Sequence, residues 1–155
     1  MKYIRLTKEQ LEELHQEFIN FLATQSITGK EWQQIKKTQP KVAEQELDIF
    51  SDLIWEGALH RAKYLQNSSP QQLFLFRLED TQMKLIVVKT KASIDFTTAD
   101  GLTWLQSNIK SEQVELFTAA KDYSEDRNKD IFLLIQQGAE ISEGTLFETI
   151  SDLIS

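Results

Sequence analysis

The feature that most constrains this chain is a change of hydrophobic period at Asn67-Ser68-Ser69-Pro70. Before it, apolar residues recur at helical spacing; after it, they alternate or run together as strand residues do. Leu11, Leu14, Phe18, Phe21 and Leu22 mark one face of a helix that opens at Thr7 and runs to about Gln25, and Thr7 with Gln10 has capping-box spacing. Thr28 with Glu31 repeats that spacing and opens a shorter helix carrying Trp32 and Ile35. That helix must stop before Pro40, because the residue preceding a proline avoids the α region. Pro40 suits the first turn of a long helix, expected to run to about Gln66 with Leu47, Phe50, Ile54, Ala58, the stem of Arg61 and Leu65 as its buried stripe. Leu53, Trp55 and Leu59 lie off that stripe, so the helix should meet more than one neighbour.

Beyond the break, residues 73–78 and 84–90 read as strands joined by the turn Glu79-Asp80-Thr81-Gln82. Leu85-Ile86-Val87-Val88 is an unbroken apolar run, as in a strand covered on both faces. Thr98 can cap a helix containing Leu102, Trp104, Leu105 and Ile109. Residues 114–118 read as a third strand, 123–129 as a charged loop and 131–135 as a fourth strand, interior to the sheet. Ser142 can cap a last helix with Leu146, Phe147, Ile150 and Leu153. The expected fold is α/β, of the α+β kind: N-terminal helices followed by a mixed four-stranded sheet with helices on both faces. No flexible linker divides it, so residues 1–155 are expected to form a single domain, with a helical part at 1–66 and a sheet-containing part at 71–155.

A chain of 155 residues with 41% hydrophobic content can bury a core without staples. It contains no cysteine, which excludes disulfides, thiolate metal sites and a thiol nucleophile. No apolar run approaches the roughly 20 residues of a spanning helix. The start Met1-Lys2-Tyr3-Ile4-Arg5-Leu6 has no hydrophobic region behind it, so no signal peptide and no membrane association are expected, and the cytoplasm is the expected location.

The net charge of −7 is unevenly spread. Residues 111–155 hold 10 acidic and 3 basic groups, against 10 and 9 in residues 1–66 and 4 and 5 in residues 67–110. Such a surface repels phosphate backbones, which argues against general nucleic-acid binding. It suits a solvated face or a docking face for a basic partner. Asp122, Glu125 and Asp126 cluster around Tyr123 there, and Trp32 and Trp104 are candidate aromatic anchors of a protein interface.

Few patterns carry chemistry. The five glycines form neither GxGxxG nor GxxxxGK, and no serine sits in a GxSxG elbow. The two histidines both have carboxylates at helical spacing. Glu12 and His15 are an i, i+3 pair; Asp48, Asp52, Glu56 and His60 follow one another at i+4. Carboxylate-bridged di-metal sites combine glutamates with Glu-x-x-His pairs on facing helices, which makes Glu12, His15, Asp52, Glu56 and His60 the candidate metal ligands. An i+4 stripe drifts by about 40° per step around a helix, so the four cannot all face one cavity.

The stretch from Trp55 to Leu65, the hairpin and Leu85-Ile86-Val87-Val88-Lys89-Thr90-Lys91 resemble the layout of PD-(D/E)xK nucleases. In that family a helix glutamate, a strand aspartate and an ExK gather a divalent metal. Glu56 and Lys89 match, but Val87 stands at the ExK acid and Asp80 lies in a turn, so the resemblance implies a catalytically degenerate relative. The order helix, hairpin, helix, two strands, helix also looks like small type III secretion chaperones. Arg5-Leu6-Thr7-Lys8-Glu9-Gln10-Leu11-Glu12-Glu13-Leu14-His15, together with Glu46-Leu47-Asp48-Ile49-Phe50-Ser51-Asp52-Leu53-Ile54-Trp55-Glu56, is similar to a family of short uncharacterised bacterial proteins, over about the first 65 residues.

The expectation is a non-catalytic protein-binding factor, an adaptor, chaperone-like or regulatory protein, with no cofactor and another protein as partner. The alternative is a metal-dependent enzyme or a degenerate nuclease-like domain.

Overall fold

A computed structural model describes residues 1–155. The chain divides into two compact units, Met1–Ala58 and Leu59–Ser155.

The first unit contains α1 (Lys8–Glu13), α2 (His15–Thr24), α3 (Gly29–Thr38) and most of α4 (Pro40–Arg61). Both capping boxes form. Thr7 Oγ1 accepts from the Gln10 N–H at 3.2 Å, and Gln10 Oε1 accepts from the Thr7 N–H at 2.9 Å. Thr28 and Glu31 make the same reciprocal pair at 3.1 and 3.4 Å. The first helix is not continuous to Gln25: Leu14, at φ −97° and ψ 22°, separates α1 from α2. The core of this unit joins Leu6, Phe18, Leu22, Trp32, Ala43 and Phe50. Phe18 meets the rings of Trp32 at 5.0 Å and Phe50 at 5.1 Å edge-on, the arrangement that aromatic quadrupoles favour. Burying each such ring contributes about 1.5–3 kcal/mol.

The second unit holds β1 (Tyr64–Ser69), β2 (Gln72–Leu78), β3 (Gln82–Thr90), α5 (Ala99–Asn108), β4 (Val114–Asp122), α6 (Arg127–Gln136), β5 (Glu140–Ser142) and α7 (Thr145–Ile154). The sheet has five strands in the order β4-β3-β2-β1-β5, and every pairing is antiparallel. It is therefore neither four-stranded nor mixed. β3 lies inside the sheet, as its apolar run requires.

Three local expectations are corrected. The long helix ends at Arg61, not Gln66, because all six residues of β1 pair with β2 and three pair with β5; ladder bonds on both sides outweigh continued helix. Ile131-Phe132-Leu133-Leu134-Ile135 is not an interior strand but the body of α6. A run of five apolar residues has no polar punctuation to reveal its period. The structure shows the helical one: Ile131 and Phe132 are buried, at 0% and 6% exposure, while Leu133 is 48% exposed. The last helix is capped by Gly144, and Ser142 belongs to β5.

One face of the sheet carries the main core of this unit. Leu73 and Leu75 of β2, Ile86 and Val88 of β3, and Val114 of β4 pack with Leu105 and Ile109 at α5 and with Phe147 and Ile150 of α7. Gly144 is at φ +86°, and a Cβ there would lie 2.4 Å from the Tyr64 ring, so the turn into α7 admits only glycine.

Candidate functional site

The i+4 carboxylates of α4 turn out to receive the N-terminal segment. Asp52 accepts the backbone N–H of Lys2 at 2.7 Å and of Tyr3 at 2.9 Å. Asp48 accepts from Arg5 Nε at 2.7 Å. Glu56 accepts from the Tyr3 hydroxyl and lies 3.5 Å from Lys2 Nζ. Ser51, wholly buried between them, accepts the Leu6 N–H at 3.0 Å and donates to the Leu47 carbonyl at 2.7 Å. The slant of an i+4 stripe, which hinders convergence on one cation, suits a chain laid obliquely along the helix. Burial, and then the Glu56 carboxylate, push the Tyr3 hydroxyl up to about 12.

Glu12, His15 and His60 are exposed. No three histidine, aspartate or glutamate side chains gather into a group that could hold a metal ion. The nuclease-like positions fare similarly. Val87 shares a face of β3 with Lys89 and is 7% exposed, so a buried apolar side chain occupies the place of the acid. Asp80 sits exposed in the turn between β2 and β3, and Lys89 stands between Gln72 of β2 and Glu115 of β4.

The candidate partner residues separate into two kinds. Trp32 is a core residue, 8% exposed, and Trp104 is half-buried against the core of the second unit. Tyr123 donates its hydroxyl to the Glu79 carbonyl at 2.8 Å, and the Arg127 guanidinium lies 5.8 Å from its ring centroid. Burial raises the Tyr123 pKa, partly offset by Arg127. Arg127 also donates to the Leu59 and Ala62 carbonyls at 3.0 and 2.8 Å, which ties the start of α6 to the end of α4. Asp126 caps α6, accepting the Lys129 N–H at 3.2 Å. Only Asp122 and Glu125 of this group project into solvent as free rim charges would.

An apolar concavity lies elsewhere, on the sheet face opposite α5 and α7. It is a cleft of about 630 Å³. Its floor is Phe74 and Phe76 of β2, Met83 and Leu85 of β3, and Ala119 of β4; Leu133 and Leu134 of α6 form one wall. Strand alternation explains the floor: Phe76 is opposite Leu85, and Leu85 is opposite Ala119. The rim is polar, with Lys121 and Asp130 as its charges and Asn67 and Gln137 as its amides. Asp130 accepts from Ser124, both N–H and hydroxyl, at 2.7 and 2.6 Å. A cleft of similar size, about 690 Å³, lies across the strand ends at Gln71, Thr90 and Gln113, and it carries charges of both signs, Lys89 and Lys91 with Glu112 and Glu115. Sequence reading missed the apolar cleft because its wall was read as a strand. The signal available was Phe74 and Phe76 on the face opposite Leu73 and Leu75.

Neither a curated protein nor a solved structure matches the chain. A family model does, and it spans residues 1–155, so the likeness drawn on the first 65 residues extends over the full length. The chain belongs to the family of unknown function DUF6495.

Proposed function

We propose that this protein is a non-catalytic protein-binding factor whose partner inserts apolar side chains into the cleft between α6 and the sheet. The observation that carries this reading is the cleft itself: an apolar floor, a wall whose Leu133 stays 48% exposed, and a polar rim. An apolar floor with a few convergent polar groups is the usual form of a recognition site. Its two charged groups, Lys121 and Asp130, stand on the rim of an apolar floor, which supports recognition rather than chemistry. The volume suits one or two large side chains, and the mixed rim charges suit polar residues flanking them. On this reading the sheet carries helices on both faces, α5 and α7 on the core side and α6 beside the cleft. The expected setting is the cytoplasm, with no cofactor.

Panning a displayed peptide library on the intact protein tests this. Selected peptides should carry an aromatic or aliphatic anchor. Their binding should shift the NMR signals of Phe74, Leu85, Ala119 and Leu133, and Leu133→Asp should weaken it at least about tenfold, the effect of losing a well-packed anchor contact. Peptides that map to other residues, or that bind Leu133→Asp unchanged, overturn the reading.

A further inference from the structure

β4 is an edge strand of nine residues, paired along its whole length with β3 and with nothing on its other side. Long, exposed edges are templates for pairing, and proteins commonly blunt them with a bulge, a proline or repeated charge. β4 has no proline, and its register with β3 runs unbroken from Val114 to Asp122. Phe117 on this strand is 54% exposed.

The order of residues along β4 is self-complementary about Thr118. A second copy paired antiparallel through a two-fold axis normal to the sheet keeps same-face residues together. The axis then falls on a residue, which pairs with itself. With Thr118 on the axis, Glu115 stands opposite the partner's Lys121, Phe117 opposite the partner's Ala119, Leu116 opposite the partner's Ala120, and Val114 opposite the partner's Asp122. Phe117 and Leu116 each meet an alanine. Both charges at the 115 and 121 positions find an opposite, and no like charges meet. Within its own chain Lys121 has only Met83 across the strand, so the second copy supplies the anion that its sheet neighbour does not.

We infer that β4 is a dimerisation edge that joins two copies of this chain into one ten-stranded antiparallel sheet. The consequence reaches the cleft. Ala119 and Lys121 line its open side, so the partner's Phe117 falls beside Ala119 and completes the wall that β4 leaves low. The inference rests on the strand and not on the cleft's occupant, and its test needs no ligand.

The experiment is a charge exchange, read by sedimentation or native mass spectrometry. Wild type should be dimeric. Lys121→Glu places glutamate opposite glutamate twice in a homodimer, and Glu115→Lys places lysine opposite lysine twice. Each should raise the dimer dissociation constant at least about fourfold, since two cross-strand charge pairs of roughly 0.2–1 kcal/mol each change sign here. Mixed together, the two variants should form a heterodimer in which both pairs are restored, at close to wild-type affinity. That recovery also shows that each variant is folded. A wild type that stays monomeric overturns the inference. So do single variants that dimerise unchanged, or a mixture that forms no heterodimer.

Discussion

Tyr3 donates its phenolic hydroxyl to the carboxylate of Glu56, 53 residues away in sequence. The contact makes stability depend on alkaline pH. Burial and the carboxylate favour the neutral phenol in the folded chain, where its pKa is about 12, against about 10 when unfolded. A pKa raised by folding contributes stability that is complete below the unfolded value and is lost as pH rises through the folded one. Wild type should therefore lose stability relative to Tyr3→Phe between pH ~10 and ~12. At neutral pH the same substitution should cost about 1.5–3 kcal/mol, the range of a hydrogen bond to a charged group. Denaturant melts of both proteins from pH 7 to 12 measure this. A gap between them that does not narrow with pH refutes the linkage.

Ser51 is the second anchor of the N-terminal segment. Its wholly buried hydroxyl accepts from the Leu6 N–H and donates to Leu47. Ser51→Ala removes that acceptor and leaves the Leu6 amide in a dry place. An unsatisfied buried donor costs about 1–3 kcal/mol, so the variant should lose that much in chemical denaturation. Hydrogen exchange at the Leu6 amide should quicken as well. Unchanged exchange at Leu6 would show that another acceptor takes over.

These anchors explain what the sequence could and could not disclose. The Thr7 and Thr28 boxes, the stop before Pro40 and the hairpin at Glu79–Gln82 were legible because each is local: a side chain and a backbone group three or four residues apart decide it. Asp48, Asp52 and Glu56 were legible as a stripe but not as a receiver. Their partners at Lys2, Tyr3 and Arg5 lie more than 40 residues away, and no local rule links them. Residues 131–135 were misread because an all-apolar run has no period, and its length fits a strand as well as a helix. β1 and β5 were missed for a different reason. Tyr64-Leu65-Gln66 lies between Glu140-Ile141-Ser142 and β2, and such pairing is set by the fold and not by propensity. The cleft inherits the first of these errors, since its wall is α6.

Gly144 and Gly29 should respond in opposite directions to alanine. Gly144 has φ +86° and faces the Tyr64 ring, with 2.4 Å between the ring and an added Cβ. The left-handed conformation alone costs an L residue about 1–2 kcal/mol, and displacement of Tyr64 adds to it, since the Tyr64 hydroxyl donates to the Glu148 carboxylate at 3.0 Å. Gly144→Ala should lose more than about 2 kcal/mol. Gly29, at the first turn of α3, has nothing within 4 Å of an added Cβ. Gly29→Ala should gain about 0.4–1 kcal/mol by restricting the unfolded chain. Thermal melts of the two single variants give the comparison, and a Gly144→Ala protein as stable as wild type would refute the packing argument.

Asp126 and Glu125 are adjacent acids that should behave as different kinds of residue. Asp126 precedes α6 and accepts the Lys129 N–H at 3.2 Å, which satisfies one of the donors that a helix start leaves without an intrahelical partner. Its carboxylate also faces the positive end of the helix. Glu125 is exposed and lies outside the helix. Asp126→Ala should therefore cost about 1 kcal/mol, within the 0.5–2 kcal/mol seen for lost N-caps. Asp126→Asn should cost little, because asparagine caps nearly as well. Glu125→Ala should fall within about 0.5 kcal/mol of wild type. Leu133 stands two turns beyond the cap, so fraying of the first turn should leave the cleft wall in place. A peptide selected on the wild type should bind Asp126→Ala nearly as tightly, and loss of binding in that variant would mean that the start of α6 takes part in recognition itself.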